Sequence, residues 1–144
     1  MSLKRFQVMN KIYALALFFL ATSFYSKLYA QSGTGQICFI RSTGYVGSAV
    51  NFKAYIDDSL ACKLRNKTYS IHTVPAGEHT VAADNTGLST QKRSTPLKIT
   101  VEEGKITYID VIWANKVSCE EITKNSADVK MEKLKQNTKC STGE

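Results

Sequence analysis

The chain has 144 residues, with 19 Lys and Arg against 12 Asp and Glu, a formal charge of +7. Four of those cations, Lys4, Arg5, Lys11 and Lys27, lie in a segment that reads as a removable signal, which leaves 15 cations, 12 acids and a net charge of +3 for the remainder. Those cations are spread along strands rather than clustered with aromatics, which speaks against nucleic acid as a partner.

Residues 1–30 have the three parts of a secretory signal peptide: a basic start, an apolar run from Ile12 to Tyr25, and small Ala30 before Gln31. The run of 14 residues is shorter than the roughly 20 that a helix needs to cross a bilayer. Cleavage is expected after Ala30, with an uncleaved anchor as the alternative because Leu28 is bulkier than the usual recognition residue. Cys38, preceded by Gly35-Gln36-Ile37, lacks the context of a lipidation site, so the protein is expected to be exported and not lipidated.

After a leader at 31–36, the apolar residues repeat with period two, the signature of half-buried strands. Ile37 to Arg41 make the first strand, and STGYVGSAV opens a loop containing Gly44 and Gly47. Phe52, Ala54 and Ile56 face one way; Asp57-Asp58-Ser59 then supplies side chains that bond nearby backbone, which predicts a turn. Leu60, Cys62 and Leu64 form the next inward set, and Asn66-Lys67 the next turn, with Asn tolerating left-handed dihedrals. The spacing predicts a meander of short antiparallel strands.

The stretch YSIHTVPAGEHTVAA, residues 69–83, predicts a hairpin around Pro75 and Gly77, with His72 and His79 facing each other across it. A metal or acid-base role for the pair would need a third ligand or a carboxylate, so a structural or solvent-facing role is expected for both. Residues 84–94 are polar and aperiodic and read as the longest surface loop. Leu97, Ile99 and Val101 alternate, and Glu103-Gly104 turns the chain into KITYIDVIWA, apolar on both faces and therefore expected to lie centrally. A last strand runs from Val117 to Ile122. Ala127, Met131 and Leu134 then fall at helical spacing and predict one amphipathic helix over 126–136, capped by Asn125 or Ser126. Residues 141–144 are a tail, and 37–140 one domain.

Cys38, Cys62, Cys119 and Cys140 all follow the signal, and an even count in an exported chain favours disulfides. The expected pairs are Cys119 with Cys140, and Cys38 with Cys62. One bridge with two buried free cysteines is the alternative. Neither a metal site nor a cofactor is expected, since the cysteine spacings fit no C-x-x-C knuckle.

Several elements in order carry a resemblance: Gly47-Ser48-Ala49, Tyr55-Ile56-Asp57, Leu64 with Asn66 and Tyr69, Pro75-Ala76-Gly77-Glu78-His79, and Glu103-Gly104-Lys105. Together they resemble the small exported bacterial proteins of the domain of unknown function 2846 family, relatives of PEGA-type sandwich repeats. The resemblance implies an antiparallel β-sandwich of about seven to eight strands in the cell envelope, with no assigned reaction. It makes Pro75, Gly77, His79 and Gly104 landmarks of structural turns.

The chain shows no G-x-S-x-G, H-E-x-x-H, phosphate loop or dinucleotide fingerprint. The expectation is a non-catalytic binding or scaffolding module. Its contacts would come from the loops carrying Tyr45, Lys92 and Arg93, and its partner would be an envelope protein or polysaccharide, with peripheral membrane contact through Lys92-Arg93 as a further option. Two other functions stay open: a subunit of an envelope complex paired through a strand edge, and a small hydrolase using His72, His79, Asp57 and Asp58.

Overall fold

The computed structural model describes residues 33–44, 48–85 and 93–140. The signal-peptide and cleavage expectations lie outside the described residues, as do Tyr45, Lys92 and most of the loop expected over 84–94. The strands are β1 (Thr34–Arg41), β2 (Phe52–Ile56), β3 (Ser59–Leu64), β4 (Thr68–Pro75), β5 (Gly77–Asn85), β6 (Leu97–Val101), β7 (Ile106–Trp113), β8 (Val117–Ile122) and β9 (Lys135–Gln136). One helix, α1 (Lys124–Met131), precedes β9.

Two sheets pack as a sandwich. The first has the order β8-β7-β1-β4-β9 and the second β3-β2-β5-β6. Ile37, Phe39, Ile109 and Val111 from the first sheet meet Phe52, Ala54, Leu64, Val81, Ala83, Ile99 and Val101 from the second, all buried. A second apolar layer covers the outer face of the first sheet, where Ala127, Met131 and Leu134 pack with Cys38, Ile40, Tyr69, Ile71 and Tyr108. Ala127 and Met131 of the expected stripe lie on the helix and Leu134 just beyond it, and their packing explains why β1 is apolar on both faces and lies in the middle. The two-faced β7 is an interior strand beside it.

The expected meander holds only for the antiparallel neighbours β2–β3, β5–β6 and β7–β8, and crossed connections link the rest. β1 pairs antiparallel with β4 and parallel with β7, and β4 pairs parallel with β9. The hairpin expected over 69–83 does not form. Tyr69 and Ile71 make an apolar outer stripe that only the helix-covered sheet can bury, so β4 joins that sheet while β5 pairs with β2 and β6 in the other. Pro75-Ala76-Gly77 is a corner between sheets, with Gly77 at φ 142°. His72 lies opposite Ile37 and His79 opposite Ile99, so the two histidines are not partners.

Three boundaries differ from the sequence reading. Strand β1 starts at Thr34 and so absorbs half of the leader: Ala76 N–H donates to Gly33 O at 2.7 Å and Gly104 N–H to Thr34 O at 2.9 Å. Gly35 is required there, since a Cβ would lie 2.4 Å from Glu102 O. The helix is capped by Thr123, whose side chain accepts from Ser126 N–H, and ends at Met131 rather than 136. Beyond it the chain is drawn into β9, where Lys135 N–H donates to Lys67 O and Asn137 N–H to Tyr69 O.

Candidate functional site

The β2–β3 turn organises the polar side chains at one end of the second sheet. Asp57 and Asp58 both have positive φ, 47° and 64°, as a two-residue hairpin of the primed type requires. Asp57 offsets that conformational cost through its carboxylate: Oδ1 accepts from Thr80 N–H at 2.8 Å, and Oδ2 lies 2.6 Å from His79 Nδ1. The other ring nitrogen, Nε2, lies 2.8 Å from Pro75 O. An imidazole between two acceptors bonds both only when both nitrogens carry protons. Burial by itself would push the His79 pKa down; the hydrogen bonds to Asp57 and Pro75 and the Asp57 charge outweigh it and raise the pKa. Burial likewise works against the Asp57 carboxylate, and the bonds from Thr80 and His79 overcome it, so its pKa is lowered. His79 thus clamps the β4–β5 corner to the β2–β3 turn, and with both nitrogens engaged it has none free to take a proton from a substrate.

On the outer face beside this clamp, the Arg93 guanidinium lies 3.7 Å over the Tyr55 ring and 2.8 Å from Asp58 Oδ1. Tyr55 O–H donates to Asp84 Oδ2 at 2.7 Å. Burial, then the hydrogen bond and charge of Asp84, push the Tyr55 pKa up against the opposing pull of Arg93. Arg93, expected as a loop contact, is therefore braced against the sheet with 35% of its side chain exposed. Ser94 stitches this segment to β5: Ser94 N–H donates to Ala83 O at 2.8 Å, and Ser94 Oγ accepts from Ala83 N–H at 3.0 Å. Asp84 and Asn85, read from sequence as loop, belong to β5.

The turn at Asn66-Lys67 also divides its roles differently from the sequence expectation. Lys67 takes the left-handed dihedral, φ 57°. Asn66 Oδ1 instead accepts from Thr43 N–H, Thr43 Oγ1 and Lys67 N–H, which ties the β1–β2 loop to the β3–β4 turn. Gly104, at φ 70°, is the turn residue expected of it.

Both expected cysteine pairs are overturned. The bridge is Cys62–Cys140, and Cys38 and Cys119 are free thiols. Cys119 is on β8 and Cys140 follows β9, at opposite edges of the same sheet. Four strand spacings of about 4.8 Å each separate those edges, far beyond the roughly 7 Å within which two Cα atoms can be bridged. Cys38 points to the helix side of β1, whereas Cys62 sits in the core between the sheets. Burial pushes both free thiols up to about 12, so they are neutral and unreactive near neutral pH.

No protein-family model matches this chain, and none of the curated proteins or solved structures matches it.

Sequence reasoning missed the Tyr55–Asp84–Arg93 network and two further polar residues placed by the fold. Buried Asp110 is 2.8 Å from Lys130 of the helix. Arg41, fully buried, donates from Nη1 to Leu64 O at 2.6 Å and lies 3.6 Å over the Phe52 ring. Burial lowers the Arg41 pKa to about 10. Outward parity on Tyr55 was visible in the sequence, but its pairing with a strand 29 residues away was not.

Proposed function

We propose that the protein is an exported, non-catalytic binding or scaffolding β-sandwich of the bacterial envelope, as the resemblance to the domain of unknown function 2846 family implies. The observation that carries this reading is the Cys62–Cys140 bridge, which closes 78 residues of chain and belongs to chemistry of an oxidising compartment. It accords with the signal-like residues 1–30. Among the described residues, no helix is long and apolar enough to cross a membrane.

The contact surface in this reading is the outer face around Tyr55, Asp58, Asp84 and Arg93. A braced cation over an aromatic ring is preorganised and loses little entropy when it meets a polar or anionic partner. Arg93 also ties this face to the solvent-exposed β2–β3 turn through its ion pair with Asp58. The test combines intact mass of the exported protein, expected to begin at Gln31, with binding to purified envelope polysaccharide and envelope-protein extracts. Arg93→Ala should weaken the specific interaction by roughly tenfold while the unfolding midpoint moves little. A turnover activity lost on substitution of His72, His79, Asp57 or Asp58 in a folded protein would replace the binding reading with the hydrolase one.

A second reading, pairing through a strand edge, is favoured by β6 and β8, which end their respective sheets. The side chains of Lys98, Thr100, Glu120 and Glu121 on these strands are exposed. A monomer by sedimentation, alone and with extract, would remove this reading.

A further inference from the structure

The sequence offered two histidines and four cysteines with no metal-binding spacing, but the fold gathers three of these six residues. Donor atoms of Cys62, His72 and Cys140 all lie within 4.8 Å of one another. We propose that the disulfide is the closed form of a binding site, and that the reduced protein holds one thiophilic d10 cation, Cu(I) or Zn(II), through the sulfurs of Cys62 and Cys140 and the imidazole of His72.

Three features support the site. The first is distance. Metal–sulfur bonds of about 2.3 Å and metal–nitrogen bonds of about 2.0 Å place the donors of one ion roughly 3.3 to 3.8 Å apart. The three donors, all within 4.8 Å of one another, lie within roughly 1 to 1.5 Å of that separation, and the two sulfurs must move apart once their bond is broken. The second is the placement of the imidazole. His72 is half-buried, with its ring edge-on to Phe39 and Nε2 3.0 Å from Ser70 Oγ. The Ser70 contact fixes the ring orientation beside the two sulfurs. The third is the anchoring of the Cys140 segment. Cys140 is tethered independently of its sulfur: Asn137 N–H donates to Tyr69 O at 2.8 Å, Asn137 Nδ2 to Lys63 O at 3.2 Å and Lys139 N–H to Asn137 Oδ1 at 3.1 Å. Asn137 Nδ2 also approaches Cys62 Sγ at 3.5 Å, the outer-sphere contact that favours a thiolate.

Opening the site takes two electrons. An external dithiol attacks the Cys62–Cys140 bond and is released as a cyclic disulfide, and its two protons pass to the freed sulfurs. Cation binding then displaces those two protons to solvent. Two soft sulfurs and one imidazole suit Cu(I) in a trigonal set, or Zn(II) with a water as fourth ligand. The other two cysteines lie elsewhere, Cys38 buried on the helix side and Cys119 half-buried at the far edge of the sheet.

The test uses the whole chain, reduced anaerobically with a phosphine, freed of reductant and titrated with Co(II) as a probe of the Zn(II) site and with Cu(I) held by a chromophoric chelator. One equivalent should bind, with a thiolate-to-cobalt charge-transfer band. His72→Gln, which retains the disulfide and can be purified oxidised, should lose at least tenfold in affinity after reduction. A Cys38→Ser/Cys119→Ser double variant should still bind one equivalent. Absence of binding by reduced wild-type protein, equal affinity in His72→Gln, or loss of binding in the Cys38/Cys119 variant with its β-sheet signal intact would each overturn the proposal.

Discussion

His72 and His79 flank the same corner, seven residues apart in sequence, yet the fold places them in opposite electrostatic settings. His79 sits at the end of β5 between a carboxylate and a carbonyl, where its charged form is favoured. His72 faces the inter-sheet core beside Phe39 and the disulfide, where burial favours its neutral form. One histidine type therefore serves as a charged clamp in one region and as an uncharged neighbour of sulfur in the other. What separates them is which sheet each strand joins, since local sequence is similar on both sides of Pro75.

The comparison can be broken most strongly on the His72 side. Cys140→Ser removes a crosslink spanning 78 residues and should lower stability by about 4 kcal/mol on a chain-entropy account. Urea unfolding of wild-type protein with and without reductant should reproduce that loss, and Cys119→Ser should not. On the His79 side, Asp57→Ala leaves an alanine in a left-handed turn position and removes the acceptor for both Thr80 and His79. It should cost about 2 kcal/mol, read from the same unfolding curves.

Two smaller effects sharpen the contrast because their pH dependences run in opposite directions. The raised His79 pKa gives stability that is complete below the ordinary value of 6.5 and is lost as pH rises through the folded value. His79→Gln should therefore cost about 1 kcal/mol near pH 6 and progressively less at alkaline pH. The lowered His72 pKa works the other way: the folded state resists protonation, so stability is full above 6.5 and falls as pH drops from there toward the folded value. His72→Gln should remove that part of the acid-side decline, with a change of less than about 1 kcal/mol at pH 8. Chemical unfolding from pH 5 to 9 on both variants checks the pair, and parallel curves would show that the two settings are not distinct.

The sequence by itself determined a great deal of this protein. Period-two alternation fixed the strands, the change of period after Ser126 announced the helix, and Asp57-Asp58, Pro75-Gly77 and Gly104 marked places where the chain turns. These features are local, written in the residues that adopt them. Pairing was decided only by the tertiary structure. The outer stripe of Tyr69 and Ile71 sends β4 to the helix-covered sheet, which turns an expected hairpin into a corner and carries His72 away from His79. The order β8-β7-β1-β4-β9 puts Cys119 and Cys140 on opposite edges, and the two-sided burial of β1 turns Cys38 away from Cys62. Contacts of this kind join residues tens of positions apart, so they depend on which buried faces the whole chain can satisfy together. That competition for burial brings Cys62, His72 and Cys140 to one place, although no spacing in the sequence connects them.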